Sequence, residues 1–252
     1  AVSENNPEYS SGDGVLYSRN KARLICFPCG KSETCSVPDH TVIIGESAFE
    51  ECSTIKAVDI PDSVRIIEDR AFLGCTELKA VSIPESVVSL GNYTFRGCSS
   101  IASVIIPEKT TELGDGVFPL CSSLKSITIP DGVTSIGDYA FSGCSNLTNA
   151  PDLPANELVT SCYSSMFSGC SKLSSLRVNF SEWVNTSGFI PGGLADDVTL
   201  DFYCPKALAD GIDSADPYFS MEDGVKSKTT FHTPERTIVT KGTDEKGNEF
   251  YT

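Results

Sequence analysis

The sequence predicts a repeat solenoid of the α/β type, built mostly from short parallel β-strands. Three residue types recur with a step of 23 residues, and each marks a fixed place in the repeat. They are proline (Pro38, Pro61, Pro84, Pro107, Pro130), phenylalanine (Phe49, Phe72, Phe95, Phe118, Phe141) and cysteine (Cys52, Cys75, Cys98, Cys121, Cys144). One more copy follows a step of 26, at Phe167 and Cys170. Such a period is typical of solenoids, in which each coil buries its apolar side only against its neighbours.

The strands are predicted from the segments that end in the recurring proline. These segments read IKAVDIP, LKAVSIP, IASVIIP and LKSITIP. Apolar residues at their first, fourth and sixth positions indicate a short strand entered from a turn. Stacked coils would pair these strands in a parallel sheet, and proline would close each strand where a missing N–H does least harm.

The remainder of each coil is predicted to turn at a glycine and return as an irregular or short helical arc. Glycine occurs at Gly45, Gly91, Gly114 and Gly137, where we expect a positive φ. Glu68 takes this place in one copy, which predicts a strained or different turn there. The Ala-Phe-x-Gly-Cys segment would form the arc, with the phenylalanines stacked inside the coil. In the fourth copy, Pro119 and Leu120 should distort that arc.

Composition excludes several classes of function. The chain has 252 residues, 40% of them apolar, and a formal net charge of −15. Nucleic acids and anionic membrane surfaces are poor partners for such a chain, because both bind clusters of lysine and arginine. No apolar run approaches the ~18 residues of a membrane-spanning helix, so no membrane insertion is expected.

The repeat resembles the BspA-type leucine-rich repeat family. The pattern IPxxVxxIGxxAFxxCxxLxxVxIP runs through residues 37–147, and residues 14–28 (GVLYSRNKARLICFP) resemble the N-terminal capping hairpin of that family. Residues 150–176 resemble a longer repeat variant, and residues 201–208 (DFYCPKAL) a segment near the C-terminal ends of such proteins. The resemblance implies a right-handed leucine-rich-repeat coil. It also implies a secreted or surface-attached bacterial protein, often one involved in adhesion.

We therefore expect five segments. Residues 1–13 would be a flexible N-terminus, 14–36 an N-terminal β-hairpin cap and 37–176 the solenoid of 23-residue repeats. Residues 177–224 would be a non-repeat C-terminal cap, because an uncovered terminal coil would expose its core. Residues 225–252 would be a tail that forms a β-hairpin or acts as a linker. The resemblance implies export, and we expect the signal peptide to have been removed, because the chain begins as a trimmed mature form would.

Eleven cysteines allow both free thiols and disulfides. The six at the repeat position are interpreted as small buried residues without disulfides, because side chains stacked in parallel rarely satisfy disulfide geometry. Cys26 and Cys29 form a C-x-x-C pair, but nothing nearby completes a zinc site. A disulfide within the cap, such as Cys29 with Cys35, is the alternative for the remaining cysteines.

No motif predicts catalysis, a metal or a cofactor. The only histidines are His40, in a repeat turn, and His232, in the tail, and neither has a recognisable partner. The column Asp62, Glu85, Glu108 and Asp131 would be a solvated set of turns, with Ca²⁺ binding as the alternative. A hydrolase would need a carboxylate pair at the junction of solenoid and C-terminal cap, which is a remote alternative.

The outward face of the predicted strands is the candidate binding surface. Small residues dominate it, and basic and acidic residues lie at its margins. Ile105 is apolar where a solvated face would be polar. The candidate binding residues are Lys56, Asp59, Lys79, Ser82, Ile105, Lys125 and Thr128.

Two functions remain open at this point. In the first, a non-enzymatic, extracellular or surface-exposed monomer binds a host or microbial surface protein, or a glycan, through this face and so mediates adhesion. In the second, the chain is a structural spacer or scaffold module of a larger envelope protein. The first relies on a broad patch of weak contacts and needs no deep pocket.

Overall fold

The computed structural model describes residues 2–153, 164–177, 195, 197–203, 229–232, 241–243 and 249–251. These residues form a β-solenoid of about seven turns, built from short strands and turns. No helix occurs among them, and hence none that could cross a membrane. The solenoid prediction is therefore confirmed, and the α/β assignment is not supported.

The strands predicted from the alternating segments form one side of the solenoid, here called the front. They pair in parallel, for example Val58 with Val81 and Val104 with Ile127, so this prediction is confirmed. The pairing continues beyond residue 176. The front strands are β4 (Thr34–Ser36), β6 (Ala57–Asp59), β8 (Ala80–Val81), β10 (Ser103–Ile105), β12 (Ser126–Thr128), β14 (Ser175–Arg177), β15 (Leu200–Tyr203) and β16 (Thr229–His232).

A second sheet, here called the side sheet, was not predicted. Its repeat strands have only two residues each, too short for a pattern of alternation to reveal. Ile43 pairs with Ile66, and Ile66 with Ser89, so partners lie 23 residues apart. The side sheet contains β1 (Tyr9–Gly12), β2 (Val15–Ser18), β3 (Arg23–Cys26), β5 (Ile43–Ile44), β7 (Ile66–Ile67), β9 (Ser89–Leu90), β11 (Glu112–Leu113) and β13 (Ser135–Ile136).

Both ends of the chain contain antiparallel strands. At the N-terminus β1, β2 and β3 pair antiparallel, and β3 then joins β5 in parallel, which attaches them to the first repeat coil. The segment 1–13, expected to be flexible, includes β1. In the tail, β17 (Lys241–Thr243) pairs antiparallel with β18 (Glu249–Tyr251). Residues 178–194, 196 and 204–224 of the expected C-terminal cap lie outside the described residues.

The arc of each coil is held by left-handed turns and by bonds to the next coil. Phe49 N donates to Ala71 O at 2.8 Å, and Phe72 N to Thr94 O at 2.9 Å. Two residues per arc have positive φ, and such residues interrupt a helix. They are Ser47, Arg70, Tyr93, Gly116, Tyr139 and Ser165 at the first position and Glu51, Gly74, Gly97, Leu120, Gly143 and Gly169 at the second.

Pro119 and Leu120 do not distort the arc, so that prediction is wrong. Gly97 N donates to Pro119 O at 2.8 Å, and Leu120 N donates to Ser142 O at 2.7 Å, as in the other coils. Proline is tolerated because the corresponding N–H elsewhere makes only a local turn bond, such as Arg96 N to Tyr93 O at 3.2 Å. Leu120 adopts the left-handed φ of 62° that glycine has in four of the other copies.

The prediction of positive φ at Gly45, Gly91, Gly114 and Gly137 is also wrong, because positive φ occurs elsewhere in the arc. These glycines are required by close packing between coils. A Cβ at Gly45 would lie 2.7 Å from Leu24 O, and a Cβ at Gly114 would lie 2.7 Å from Asn92 N. Glu68, at the same repeat position, forms an ion pair with Arg23 at 2.6 Å and accepts a hydrogen bond from Glu46 N at 2.9 Å.

The phenylalanine ladder is confirmed and is longer than predicted. Phe27 precedes the repeat and stacks on Phe49 at 5.1 Å between ring centroids. From Phe49 to Phe167 successive rings are stacked 5.0 to 6.0 Å apart, and all are fully buried. Aromatic stacking adds to the area buried by each ring, so this ladder is the central element of the core.

The repeat cysteines divide into two kinds. Cys75, Cys98, Cys121, Cys144 and Cys170 are free and buried, as predicted. Each thiol donates to a phenylalanine carbonyl of the preceding coil, at 3.1 to 3.2 Å. Cys52 instead forms a disulfide with Cys29, so its assignment as a free thiol is wrong, and so is the alternative of Cys29 with Cys35. As the first repeat cysteine, Cys52 lies beside the N-terminal loop, and its Cα is 4.5 Å from that of Cys29.

Candidate binding surface

The front of the solenoid presents alternate side chains to solvent. In each front strand one residue points into the core, and the residues directly before and after it point outward. The inward residues are Val58, Val81, Val104 and Ile127. The predicted binding residues accordingly lie on one face, here called the front face. Six of them are exposed and Lys56 is half-buried; the face comprises Lys56, Asp59, Lys79, Ser82, Ile105, Lys125 and Thr128. Whether they bind a partner remains a prediction.

The front face is nearly flat along its centre. Ala57 is paired with Ala80, and Ser103 with Ser126, so side chains of one or two heavy atoms cover this column. Ile105 stands beside them, paired with Thr128, and is 78% exposed. Among the described residues it is the most exposed large apolar side chain. An isoleucine with this exposure is accessible to a partner that approaches the front face.

The charged residues of the front face differ in their partners. Lys56 forms an ion pair with Glu33 at 2.8 Å, and the hydrogen bond to Glu33 raises the pKa of Lys56. Asp59 accepts a hydrogen bond from Ser36 Oγ at 3.3 Å. Within the described part of the chain, Lys79 and Lys125 form no ion pair. These two ammonium groups are therefore the ones available to an external anion.

Sequence reasoning missed a second group of exposed apolar residues. Ile66 in β7, and Val42 and Val88 immediately before β5 and β9 of the side sheet, are each 36 to 39% exposed. They come from three successive coils, and Ile66 N donates to Val42 O at 3.4 Å. The sequence signal was an extra apolar residue one or two positions before the inward Ile44, Ile67 or Leu90, which could not be interpreted without knowing that a strand lies there.

The remaining candidates for chemistry do not form a site. His40 is exposed, and the side chain of His232 lies outside the described residues. Asp62, Glu85, Glu108 and Asp131 are exposed, as expected for solvated turns, and Glu85 accepts a hydrogen bond from Glu108 N at 3.2 Å. Where the structure describes the chain, no three His, Cys, Asp or Glu side chains are grouped as metal ligands. The junction proposed for a hydrolase falls largely on residues that the structure does not describe.

A different column of acidic and amide side chains has a structural role. Asp69, Asn92, Asp115 and Asp138 each accept a hydrogen bond from a backbone N–H of the following coil, at 2.8 to 3.0 Å. Burial raises the pKa of Asp138, and the charge of Asp115 adds to this. The column satisfies backbone donors that the strands leave unpaired.

The architecture defines a leucine-rich-repeat solenoid, and the sequence comparison identifies the family. The family described as BspA type leucine rich repeat region matches residues 25–148 and 102–188, with six copies. The chain therefore belongs to the BspA-type leucine-rich repeat family. No curated protein matches the chain.

Solved structures show the same fold. A leucine-rich repeat protein of T. pallidum is 23% identical, with a TM-score of 0.57 over 90% of this chain and 96% of that chain. A leucine-rich cell surface protein of Faecalibacterium prausnitzii is 22% identical, with a TM-score of 0.55 over 81% and 72%. The pneumococcal vaccine antigen PcpA is 20% identical, with a TM-score of 0.54 over 93% of this chain and 49% of that chain.

Proposed function

We propose that this chain is a non-enzymatic binding protein, exported to the bacterial surface or beyond, whose front face contacts a surface protein or glycan of a host or another microbe. The observation that carries the proposal is Ile105, 78% exposed at the centre of a flat face of small side chains. Partner atoms could bury this side chain fully, and burial of one large apolar residue contributes roughly 1.5–3 kcal/mol.

Two further features support this use of the front face. Lys79 and Lys125 are exposed and lie just before two front strands. Although the protein as a whole is acidic, these two ammonium groups can attract acidic groups of a partner. The names of two structural neighbours also favour a surface location, since one is a cell surface protein and one a vaccine antigen. A flat face without a deep cleft suits many shallow contacts with a macromolecule.

The test is a binding screen of the purified chain against immobilised extracellular-matrix proteins, mucins and glycans. Two front-face variants are measured beside it, Ile105→Asp and the triple variant Lys56→Glu/Lys79→Glu/Lys125→Glu. Val88→Asp is the matched control for the first, because Val88 is also exposed but lies next to β9 of the side sheet, away from the front face. Saturable binding that both front-face variants weaken at least tenfold, with Val88→Asp unchanged, would support the proposal.

A structural spacer is the second candidate. The column Ala57, Ala80, Ser103 and Ser126 favours it, because such small side chains also suit a surface that contacts nothing. Absence of binding to every immobilised target would favour the spacer. Binding that persists in both front-face variants would instead move the binding site to another face of the solenoid.

A further inference from the structure

A cavity of about 560 Å³ opens at the N-terminal end of the solenoid, away from the centre of the front face. It lies between the first hairpin, represented by Gly12, Asp13 and Tyr17, and the segment from Lys31 to Ser36. Its size falls within the range of small-molecule sites, which is roughly 300–1,000 Å³. The front face, by contrast, is suited to macromolecules.

The floor of the cavity is apolar and aromatic. Val15, Tyr17, Phe27 and Cys35 line it, and all four belong to the buried core. Burial raises the pKa of the Cys35 thiol to about 11 and is also the main cause of the raised pKa of Tyr17. Both groups are therefore neutral at physiological pH. The floor offers a ligand uncharged, largely apolar surface.

Two ammonium groups lie beside the aromatic rings. Lys31 Nζ is 5.8 Å from the centroid of the Phe27 ring, over its face. A Cβ added at Gly12 would lie 3.8 Å from Lys21 Nζ and 3.9 Å from Tyr17 Cε2, so the Lys21 ammonium and the Tyr17 ring both border Gly12. Neither lysine forms an ion pair among the described residues. Two unpaired cations at one cavity stand out in a chain with a net charge of −15.

The rim determines which ligand these groups suit. Asp13 is the one carboxylate in the lining, and it offsets one of the two positive charges. A ligand with a single negative charge is therefore complementary, whereas a dianion or a cation is not. The wall from Lys31 onward begins two residues after Cys29, whose disulfide to Cys52 anchors it to the first repeat coil.

We propose that this cavity binds a small apolar monocarboxylate, an aryl- or alkyl-carboxylic acid, with its apolar body against Tyr17 and Phe27. Its carboxylate lies within reach of the ammonium groups of Lys21 and Lys31. The site adjoins the first front strand, β4, but its lining includes none of the seven front-face residues, and its ligand is a small molecule and not a macromolecule. Failure of one proposal therefore leaves the other unaffected.

The experiment titrates the full chain with three compounds of one shape and different charge: 3-phenylpropionate, its amide and 3-phenylpropylamine. Calorimetry and ligand-observed NMR report binding. We expect saturable binding of the carboxylate, binding of the amide that is weaker by at least roughly tenfold, and none of the amine, because a hydrogen bond to a charged group is stronger than one to a neutral group. Equal binding of carboxylate and amide, or no binding of the carboxylate, would overturn the proposal.

Two variants locate the site. Lys21→Gln/Lys31→Gln should weaken carboxylate binding at least tenfold, whereas Arg65→Gln/Lys109→Gln, which removes the same charge elsewhere, should leave it unchanged. Gly12→Ile keeps both lysines and fills the cavity, and a Cβ at Gly12 meets only ordinary contacts. It should abolish binding while the thermal unfolding midpoint is maintained. Carboxylate binding that survives in a folded Gly12→Ile protein would show that the cavity is not the site.

Discussion

At the scale of single residues, the contribution of a side chain to stability depends on its position in the repeat. Phe95 is fully buried, and its ring is stacked 5.2 Å from that of Phe72 and 5.4 Å from that of Phe118. Cysteine recurs in the same coils for a different reason. Its thiol donates a hydrogen bond to the carbonyl of a phenylalanine in the preceding coil, and alanine in place of the cysteine could not make this bond. The two columns together explain why each coil keeps both residues.

Phe95→Ala should lower the free energy of unfolding by roughly 3–5 kcal/mol, because it removes a buried ring and leaves a cavity between two others. Urea denaturation of the variant and the parent measures the difference. Leu73→Ala, a half-buried arc residue, is the control and should cost clearly less. A loss below about 1 kcal/mol for Phe95→Ala would mean that the ring is not part of a packed ladder.

Gly114→Ala should be destabilising by about 1–3 kcal/mol, because its Cβ would come within 2.7 Å of backbone atoms of the preceding coil. Gly132→Ala is the matched control, since the nearest atom there, Glu108 O, would be 3.2 Å away. Thermal unfolding of both variants distinguishes them. Equal midpoints would contradict the view that close packing of coils selects glycine at position 114.

At the scale of elements, the column of buried thiols makes stability depend on pH. Burial raises the pKa of Cys121 to about 12, above the value of about 8.5 for an exposed thiol. As pH rises past 8.5, the unfolded chain loses this proton first, so the unfolded state binds fewer protons and stability falls. The contribution is fully present below pH 8.5 and is lost progressively as the pH approaches 12.

Between pH 8 and pH 10.5 the loss from Cys121 alone should be on the order of 2 kcal/mol. Urea denaturation at both pH values measures it. Cys121→Ala should be less stable than the parent at pH 8 and should show a smaller further loss at pH 10.5. An identical pH dependence in the two proteins would show that Cys121 does not titrate in this way.

The disulfide between Cys29 and Cys52 should stabilise the junction of the N-terminal strands and the first coil. It closes a loop with a sequence separation of 23, for which about 3 kcal/mol is expected. A thiol reductant should therefore lower the unfolding midpoint of the parent and leave that of Cys29→Ser unchanged. Cys75→Ala, which alters a free ladder thiol, should keep its sensitivity to the reductant; loss of that sensitivity would contradict the assignment.

At the scale of the whole molecule, each coil contacts only its neighbours, so a defect should remain local. Phe118→Ala should increase amide hydrogen exchange mainly in the coils around Phe95 and Phe141, with little change near Ile43 and Ile44. Exchange measured by mass spectrometry on the parent and the variant tests this. A uniform increase along the solenoid would indicate one cooperative unit.

The repeat in the sequence determined the solenoid, the front strands, the phenylalanine ladder and the five buried free thiols. The physical reason is that each of these depends on contacts between equivalent positions of adjacent coils, which a fixed period reveals. The outward placement of Ile105 also followed from alternation along the front strands, whereas Lys79 and Lys125 were placed at the entry edge of theirs. Their role in binding remains a proposal.

Tertiary structure alone decided the features that depend on distances within and between coils. The side sheet has strands too short to be recognised, and the glycines at positions 45, 91, 114 and 137 are selected by backbone atoms of another coil. The pairing of Cys29 with Cys52 and the cavity beside Lys21 and Lys31 arise where the N-terminal strands meet the first coil. Cys29 lies one period of 23 residues before Cys52, but the period alone could not distinguish a disulfide there from the free stacked thiols of the later coils.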